Sequence, residues 1–335
     1  MKKMKKAAAV ISIIAMTVLL FSGCQKEPQE QVAQEPEVQA VDIRIGGLTG
    51  PTSMGLVQLM ESAEKQEASN NYIFTISGSA DEVTPKLIQG QLDMAAVPAN
   101  LGAVLYNNTK GAVKILAVNT LGVIYIVEKG NNVNSFEDLR GKKIFATGKG
   151  STPEYALRYL LKENGLDPDK DVILEWKSEP AEVVALLSGA EEGIAMMPQP
   201  FVTIAQSKID GLRIAIDLNK AWDDLDNDSL FITGVLVVRS DFAEKYPEQI
   251  NKFLDEYKVS AEYANAHTPE AAQLIEKYGI FTAAVAEKAM PYCNITFIEG
   301  SEMKTVMEGY LNVLFEQNPK SVGGSLPDAE FYYTR

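Results

Sequence analysis

Four short segments of this 335-residue chain gather hydroxyls, amides and glycines directly after apolar runs. They are Thr49-Gly50-Pro51-Thr52-Ser53, Pro98-Ala99-Asn100, Thr147-Gly148-Lys149-Gly150-Ser151-Thr152-Pro153 and Pro198-Gln199-Pro200-Phe201. Proline at the first helical position forfeits no hydrogen bond, and Thr152 reads as an N-cap ahead of Pro153. Such a strand-to-helix turn offers free backbone N–H groups and hydroxyls at the positive end of a helix. It can therefore hold a carboxylate, sulfonate, phosphate or polar heterocycle. A single turn of this kind commonly does no more than cap its helix. Four in equivalent places point to a binding cleft. The expected ligand-binding residues are Gly50, Thr52, Ser53, Asn100, Thr120, Gly150, Ser151, Thr152, Gln199 and Phe201.

Other chemistries fit the residues less well. Gly148-Lys149-Gly150 lacks the spacing of a P-loop, and the dinucleotide fingerprint needs glycine where Pro153 stands. The one histidine, His267, precedes a helix start and reads as a surface residue; one histidine excludes a His-type transition-metal site. Cys293 and His267 could form a dyad by spacing alone, but neither follows a strand, and Cys293 reads as a small buried hydrophobe. Asp224 to Asp228 resembles the start of a calcium loop, then carries Ser229 where glycine is required and Val235 where the bidentate glutamate belongs. No catalytic residue, metal or cofactor is expected. Of the aromatics Tyr125, Tyr155, Trp176, Phe201 and Trp222, Phe201 is best placed to face a ring in the cleft, whereas Trp222 reads as part of an acidic loop.

The elements that must position these turns repeat. Glu82 to Pro98 and Glu182 to Pro198 both read as helix, turn and short buried strand ending on proline. Five of seventeen aligned positions are identical: Glu82/Glu182, Val83/Val183, Leu87/Leu187, Ala95/Ala195 and Pro98/Pro198. Unrelated segments share about one. A duplicated β-α-β-α unit predicts two similar lobes with a cleft between facing helix N-termini. Strands such as Val41–Gly46, Tyr72–Ile76, Ile144–Thr147 and Val172–Trp176 alternate with helices of ten to fifteen residues, which predicts parallel sheets covered on both faces. A helix is expected through Met54 to Met60, and from Asp241 onward the chain turns helical. The β runs Gly122 to Val127 and Gly234 to Val238 flank the second copy and read as crossovers. They divide the chain into a discontinuous lobe 1, residues 42–121 and 234–335, and an inserted lobe 2, residues 122–233.

Hydrophobic residues at 46% and charged residues at 23% fit a globular protein. The first 24 residues differ: four lysines, an apolar run from Ala7 to Phe21, then Ser22-Gly23-Cys24. This is the pattern of a secretory signal, with Cys24 as a lipidation site and Phe21 where leucine is usual. Residues 25–41, rich in Gln, Glu and Pro, read as a tether of coil reach on the order of 20 Å. The overall net charge is −14; without the signal, 27 basic residues face 45 acidic ones, a net charge of −18. That excludes nucleic acid and anionic lipid as partners of the folded body, leaving the lipid anchor as the only expected membrane contact.

Gly150-Ser151-Thr152-Pro153-Glu154-Tyr155-Ala156-Leu157-Arg158, running on to Gly165-Leu166-Asp167-Pro168 and preceded by Asp138-Leu139-Arg140-Gly141-Lys142-Lys143, resembles the lobe 2 opening of a known group. These are the substrate-binding lipoproteins of ABC importers for nitrate, sulfonates, taurine and thiamine precursors; the similarity spans residues 42–320. The resemblance implies a type II periplasmic-binding fold, two α/β lobes joined by two crossover hinge segments. It also implies a monomer, lipid-anchored on the extracytoplasmic side of the cell membrane, that delivers a small solute to ABC permease and ATPase subunits. Within the group the solute can be an oxyanion, sulfonate, pyrimidine or other heterocycle. No arginine stands at the four turns and Lys149 is their one cation, which favours a neutral or weakly charged, partly aromatic metabolite. A sensory or surface lipoprotein could reuse the fold. So could a pyrimidine-forming enzyme, although its cysteine-rich motif and histidines are missing here.

Overall fold

The computed structural model describes residues 39–335 apart from 226 and 228. The signal segment, Cys24 and the tether through residue 38 lie outside the described residues. Two sheets organise the rest. The first has the order β11-β4-β10-β3-β1-β2, built from β1 (Asp42–Leu48), β2 (Asn71–Ser77), β3 (Met94–Pro98), β4 (Val113–Leu121), β10 (Ile232–Arg239) and β11 (Ile295–Ile298). The second has the order β7-β6-β8-β5-β9, from β5 (Ile124–Lys129), β6 (Lys143–Ala146), β7 (Ile173–Trp176), β8 (Gly193–Pro198) and β9 (Leu212–Asp217). This is the two-lobed α/β architecture of a type II periplasmic-binding protein.

The expectation of wholly parallel sheets is corrected by particular strands. β10 runs antiparallel to β3 and β4, β11 antiparallel to β4, and β5 antiparallel to β8 and β9. Connectivity explains β5 and β10. Each enters its sheet directly after the chain has passed between lobes, at the carboxyl ends of the parallel strands. From there it can only run back along them. Pro98 accordingly pairs with Gly234 on one crossover strand, and Pro198 with Ile124 on the other.

The repeated segments fold alike. Helices Ala80–Ile88 and Pro180–Gly189 precede β3 and β8. Val83, Leu87 and Ala95 are buried, as are Val183, Leu187 and Ala195, while Glu82 and Glu182 face solvent. Val83 with Leu87, and Val183 with Leu187, pack each helix onto its sheet, as i, i+4 spacing requires.

Three hydrophobic clusters hold the lobes. One buries Ile43, Ile45, Leu236 and Tyr257 under the helices of the C-terminal third. Another buries Val127, Val183, Leu187 and Met197 on one face of the second sheet. The third is shared: Val83, Val97 and Val235 belong to it together with Ile144, Leu157, Met196 and Trp222. The lobes are therefore continuous behind the crossovers. Trp222 is a correction to the sequence reading, lying in helix Leu218–Asp223 and fully buried. It stacks on Phe231 at 5.2 Å and touches Tyr310 at 5.8 Å; the acidic residues flanking it mask a single inward-facing indole. The helix expected through Met54 to Met60 breaks at Gly55-Leu56 into Pro51–Met54 and Val57–Glu64. Ser260 fills the break, donating to the Gly55 carbonyl at 2.7 Å and accepting from Leu59 N–H at 3.0 Å.

Candidate functional site

All four sequence-named turns lie at the carboxyl ends of β1, β3, β6 and β8; the first is tied to β4 through Asn119 and the last to the β4–β5 link through Val123. On lobe 1, Thr49 donates to the Ser77 carbonyl through both N–H and hydroxyl. Gly50 then opens helix Pro51–Met54. Gly50 is buried, yet a Cβ added there would meet no atom within 4 Å, so the backbone faces enclosed open space. The Thr52 carbonyl accepts from Asn119 Nδ2 at 3.1 Å, and Asn119 Oδ1 accepts from the Thr120 hydroxyl at 3.1 Å. The returning crossover closes over them at Gly234. A Cβ there would sit 2.5 Å from Thr52 Cγ2 and 2.6 Å from Asn119 Oδ1, so glycine is required by close approach.

On lobe 2, the Gln199 N–H donates to the Val123 carbonyl at 2.9 Å. Its side-chain Oε1 accepts from the Thr203 N–H at 3.2 Å and hydroxyl at 2.9 Å. Gln199 and Ser53 are both fully buried, and neither Gln199 Nε2 nor Ser53 Oγ has a protein partner. Buried polar groups are nearly always paired, so each is a place to look for a ligand contact. Tyr257 OH lies beneath the same Pro51–Met54 turn, close to Gly55 and within reach of the Asn119 side chain.

The Thr147–Pro153 turn departs from the sequence reading. Ser151 rather than Thr152 is the N-cap of helix Thr152–Glu163, and its hydroxyl donates to the Gly148 carbonyl at 2.9 Å. Gly148 takes a left-handed φ of 81°, and a Cβ on it would strike Pro153 at 2.6 Å. Gly150 is exposed, and its N–H is taken by Glu154 Oε2 at 2.7 Å. Thr152 is buried between the lobes, donating to Asn100 Oδ1 at 3.1 Å and accepting from Tyr310 OH at 3.1 Å. The other side of the Asn100 amide donates to the Ser321 carbonyl at 3.0 Å. Asn100 and Thr152 thus tie lobe to lobe.

Two further contacts join the lobes. Phe201 meets Phe281 of lobe 1 edge to face at 5.8 Å and 82°. Tyr125 OH donates to the Tyr292 carbonyl at 3.0 Å. Burial and the nearby Asp217 carboxylate push the Tyr125 phenol upward, keeping it a donor. Tyr155 and Trp176 are half-buried. Cys293 is buried and its thiol is pushed up by desolvation, which holds it protonated and inert. His267 is exposed and stacks on Tyr263 at 4.6 Å, so no base activates that thiol. Among the described residues no group of three His, Cys, Asp or Glu side chains could hold a metal ion.

Sequence reasoning missed Asn119, Thr203, Tyr257 and Tyr310, which position or seal the site. For Asn119 a signal was available: an amide inside the β-branched run Val113 to Leu121 needs a buried partner. Tyr257 and Tyr310, in helices Pro247–Ala266 and Gly300–Gln317, left no such trace.

The geometry has close counterparts. A structure of an ABC transporter protein from Parabacteroides distasonis is 26% identical, with a TM-score of 0.73 over 88% of this chain and 99% of that one. The periplasmic aliphatic sulphonate binding protein of Escherichia coli, 18% identical, shares the fold with a TM-score of 0.70 over 88% of this chain and 92% of its own. A curated relative from Brucella abortus, named as a binding protein, is 22% identical over 174 residues, 52% of each chain. The chain thus spans about half the length of the curated relatives it matches. The model of the NMT1-like family matches residues 73–277, well over half of the sequence, and the chain belongs to that family.

Proposed function

We propose that this protein is an extracytoplasmic solute receptor that captures a small metabolite between its lobes and delivers it to an ABC importer. One observation carries the reading: the buried, unpartnered Ser53 and Gln199 groups, one on each lobe, flank the crossover at the carboxyl ends of the strands. In open α/β sheets that is where ligands bind. Family membership and the named roles of the structural relatives support it. Residues 42–121 and 234–335 form lobe 1 and residues 122–233 lobe 2, hinged at the crossovers. A solute contacting both lobes favours the closed state by its differential affinity for it. Gly50, Thr52, Ser53, Thr120 and Gln199 line the cleft, while Asn100, Thr152 and Phe201 seal it. The protein works as a monomer, held by lipid on Cys24 and without catalytic chemistry. Among the described residues no helix is long and apolar enough to cross a membrane.

A thermal-shift screen against sulfonates, oxyanions, pyrimidines, thiamine precursors and aromatic acids tests the reading. A ligand at a hundred times its dissociation constant stabilises by about 2.7 kcal/mol. That raises the melting temperature by a few degrees in a chain of this size. A saturable shift with one class is the expected result; no shift with any class, and no solute released from the purified protein, would count against a receptor.

A further inference from the structure

An amide side chain can point either way unless its neighbours choose. Gln199 has that choice made for it. The backbone N–H of Thr203 can only donate, so the atom it meets at 3.2 Å is the carbonyl oxygen Oε1, and the Thr203 hydroxyl adds a second donor at 2.9 Å. Nε2 is therefore turned away from helix Phe201–Lys208 as a pure donor, in a residue 1% exposed and with no partner in the protein. A buried N–H group in this state is destabilising until something accepts from it.

Charge narrows the class of that acceptor. Among the described residues no lysine or arginine is buried, so no buried cation is available beside Gln199 or Ser53 to neutralise an anion taken out of water. Two donors that an oxyanion would take at helix Thr152–Glu163 are already engaged, the Gly150 N–H by Glu154 and the Ser151 hydroxyl by Gly148. The Glu154 carboxylate itself occupies the positive end of that helix, within reach of Arg158 at 3.0 Å. Lys149, the one cation of the four turns, is exposed.

We infer that the cleft selects an uncharged solute presenting a carbonyl oxygen or an unprotonated ring nitrogen to Gln199 Nε2, which makes Gln199 a specificity-determining residue. This rests on the receptor reading above. The buried Ser53 hydroxyl, free to donate or accept, supplies a second contact from the facing lobe.

The test titrates the full-length protein and its Gln199→Glu variant calorimetrically against matched pairs: uracil and orotate, nicotinamide and nicotinate, with nitrate and ethanesulfonate as further anions. Any solute released on denaturing the purified protein is identified by mass spectrometry and judged by the same criterion. Glutamate keeps an oxygen for Thr203 and the size of the side chain, and exchanges the amide donor for an acceptor that also carries a buried charge. The expected result is saturable binding of an uncharged solute, weakened about tenfold or more in Gln199→Glu, with the ligand-free melting temperature of the variant lowered because the buried carboxylate has no buried cation beside it. A bound anion whose uncharged counterpart is silent overturns the assignment and leaves the receptor intact. So does equal affinity in wild type and variant. Absence of any bound or released solute overturns the receptor reading, and this inference with it.

Discussion

Ser53 and Gln199 differ from their neighbours in what remains unpaired. Asn100, Thr152 and Ser151 are hydroxyl and amide residues of the same kinds, but their hydrogen bonds close within the protein. The sequence could select all of them by type and position, and could not tell which would be used up internally. That distinction predicts opposite effects of truncation. Ser53→Ala removes a buried hydroxyl without a partner, so the ligand-free melting temperature should hold or rise slightly while solute affinity falls. Thr152→Val leaves Asn100 Oδ1 and Tyr310 OH unpaired in the interior, and should destabilise by about 1–3 kcal/mol in urea unfolding. If both variants lost stability equally, the division between cleft and seal would be wrong.

Among elements, the turns depend on contacts with segments distant in sequence. The Pro51–Met54 turn is held by Asn119 on β4 and covered by Gly234 on the returning crossover strand. Gly234→Ala should push Thr52 aside and reduce solute affinity together with stability, read by calorimetry and thermal melting on the same preparation. A second clasp joins helix Val57–Glu64 to helix Thr268–Lys277. Lys277, Lys65 and the Tyr278 hydroxyl converge on Glu61 and hold its carboxyl down to about 2. A depressed carboxylate stabilises the fold fully above its unfolded value of 4.5, and that contribution is lost as pH falls toward about 2. The melting-temperature gap between wild type and Glu61→Gln should therefore be constant from pH 7 to 5 and narrow between pH 4.5 and 2. The elements themselves were largely legible, because helix and strand periods and proline starts are local signals. The antiparallel course of β5 and β10 was not, since direction follows from how the chain passes between lobes.

For the molecule as a whole, one core face is shared by both sheets, and the interlobe contacts differ in kind. Thr152, Asn100 and Tyr310 form a buried polar link behind the cleft, next to the Trp222, Phe231 and Tyr310 cluster. Phe201 and Phe281 form an apolar latch. An edge-to-face aromatic pair contributes about 1 kcal/mol, so Phe201→Ala should shift the open–closed balance several-fold toward open. Small-angle scattering should then give a larger radius of gyration without solute and a normal one at saturation. An unchanged ligand-free radius would mean that the latch does not set the balance.

The sequence by itself determined the duplicated unit, the two-lobed α/β class and the four turns at strand ends. Each is written in local periodicity, proline placement and the spacing of buried Val, Leu and Ala. Tertiary structure decided which polar groups are left for a ligand, that helix Gly300–Gln317 reaches across to Thr152, and that Trp222 is core. Those outcomes depend on hydrogen bonds and packing between residues as much as 221 positions apart. Composition and spacing report what a residue can donate or accept; only the folded neighbours fix whether that capacity is already met.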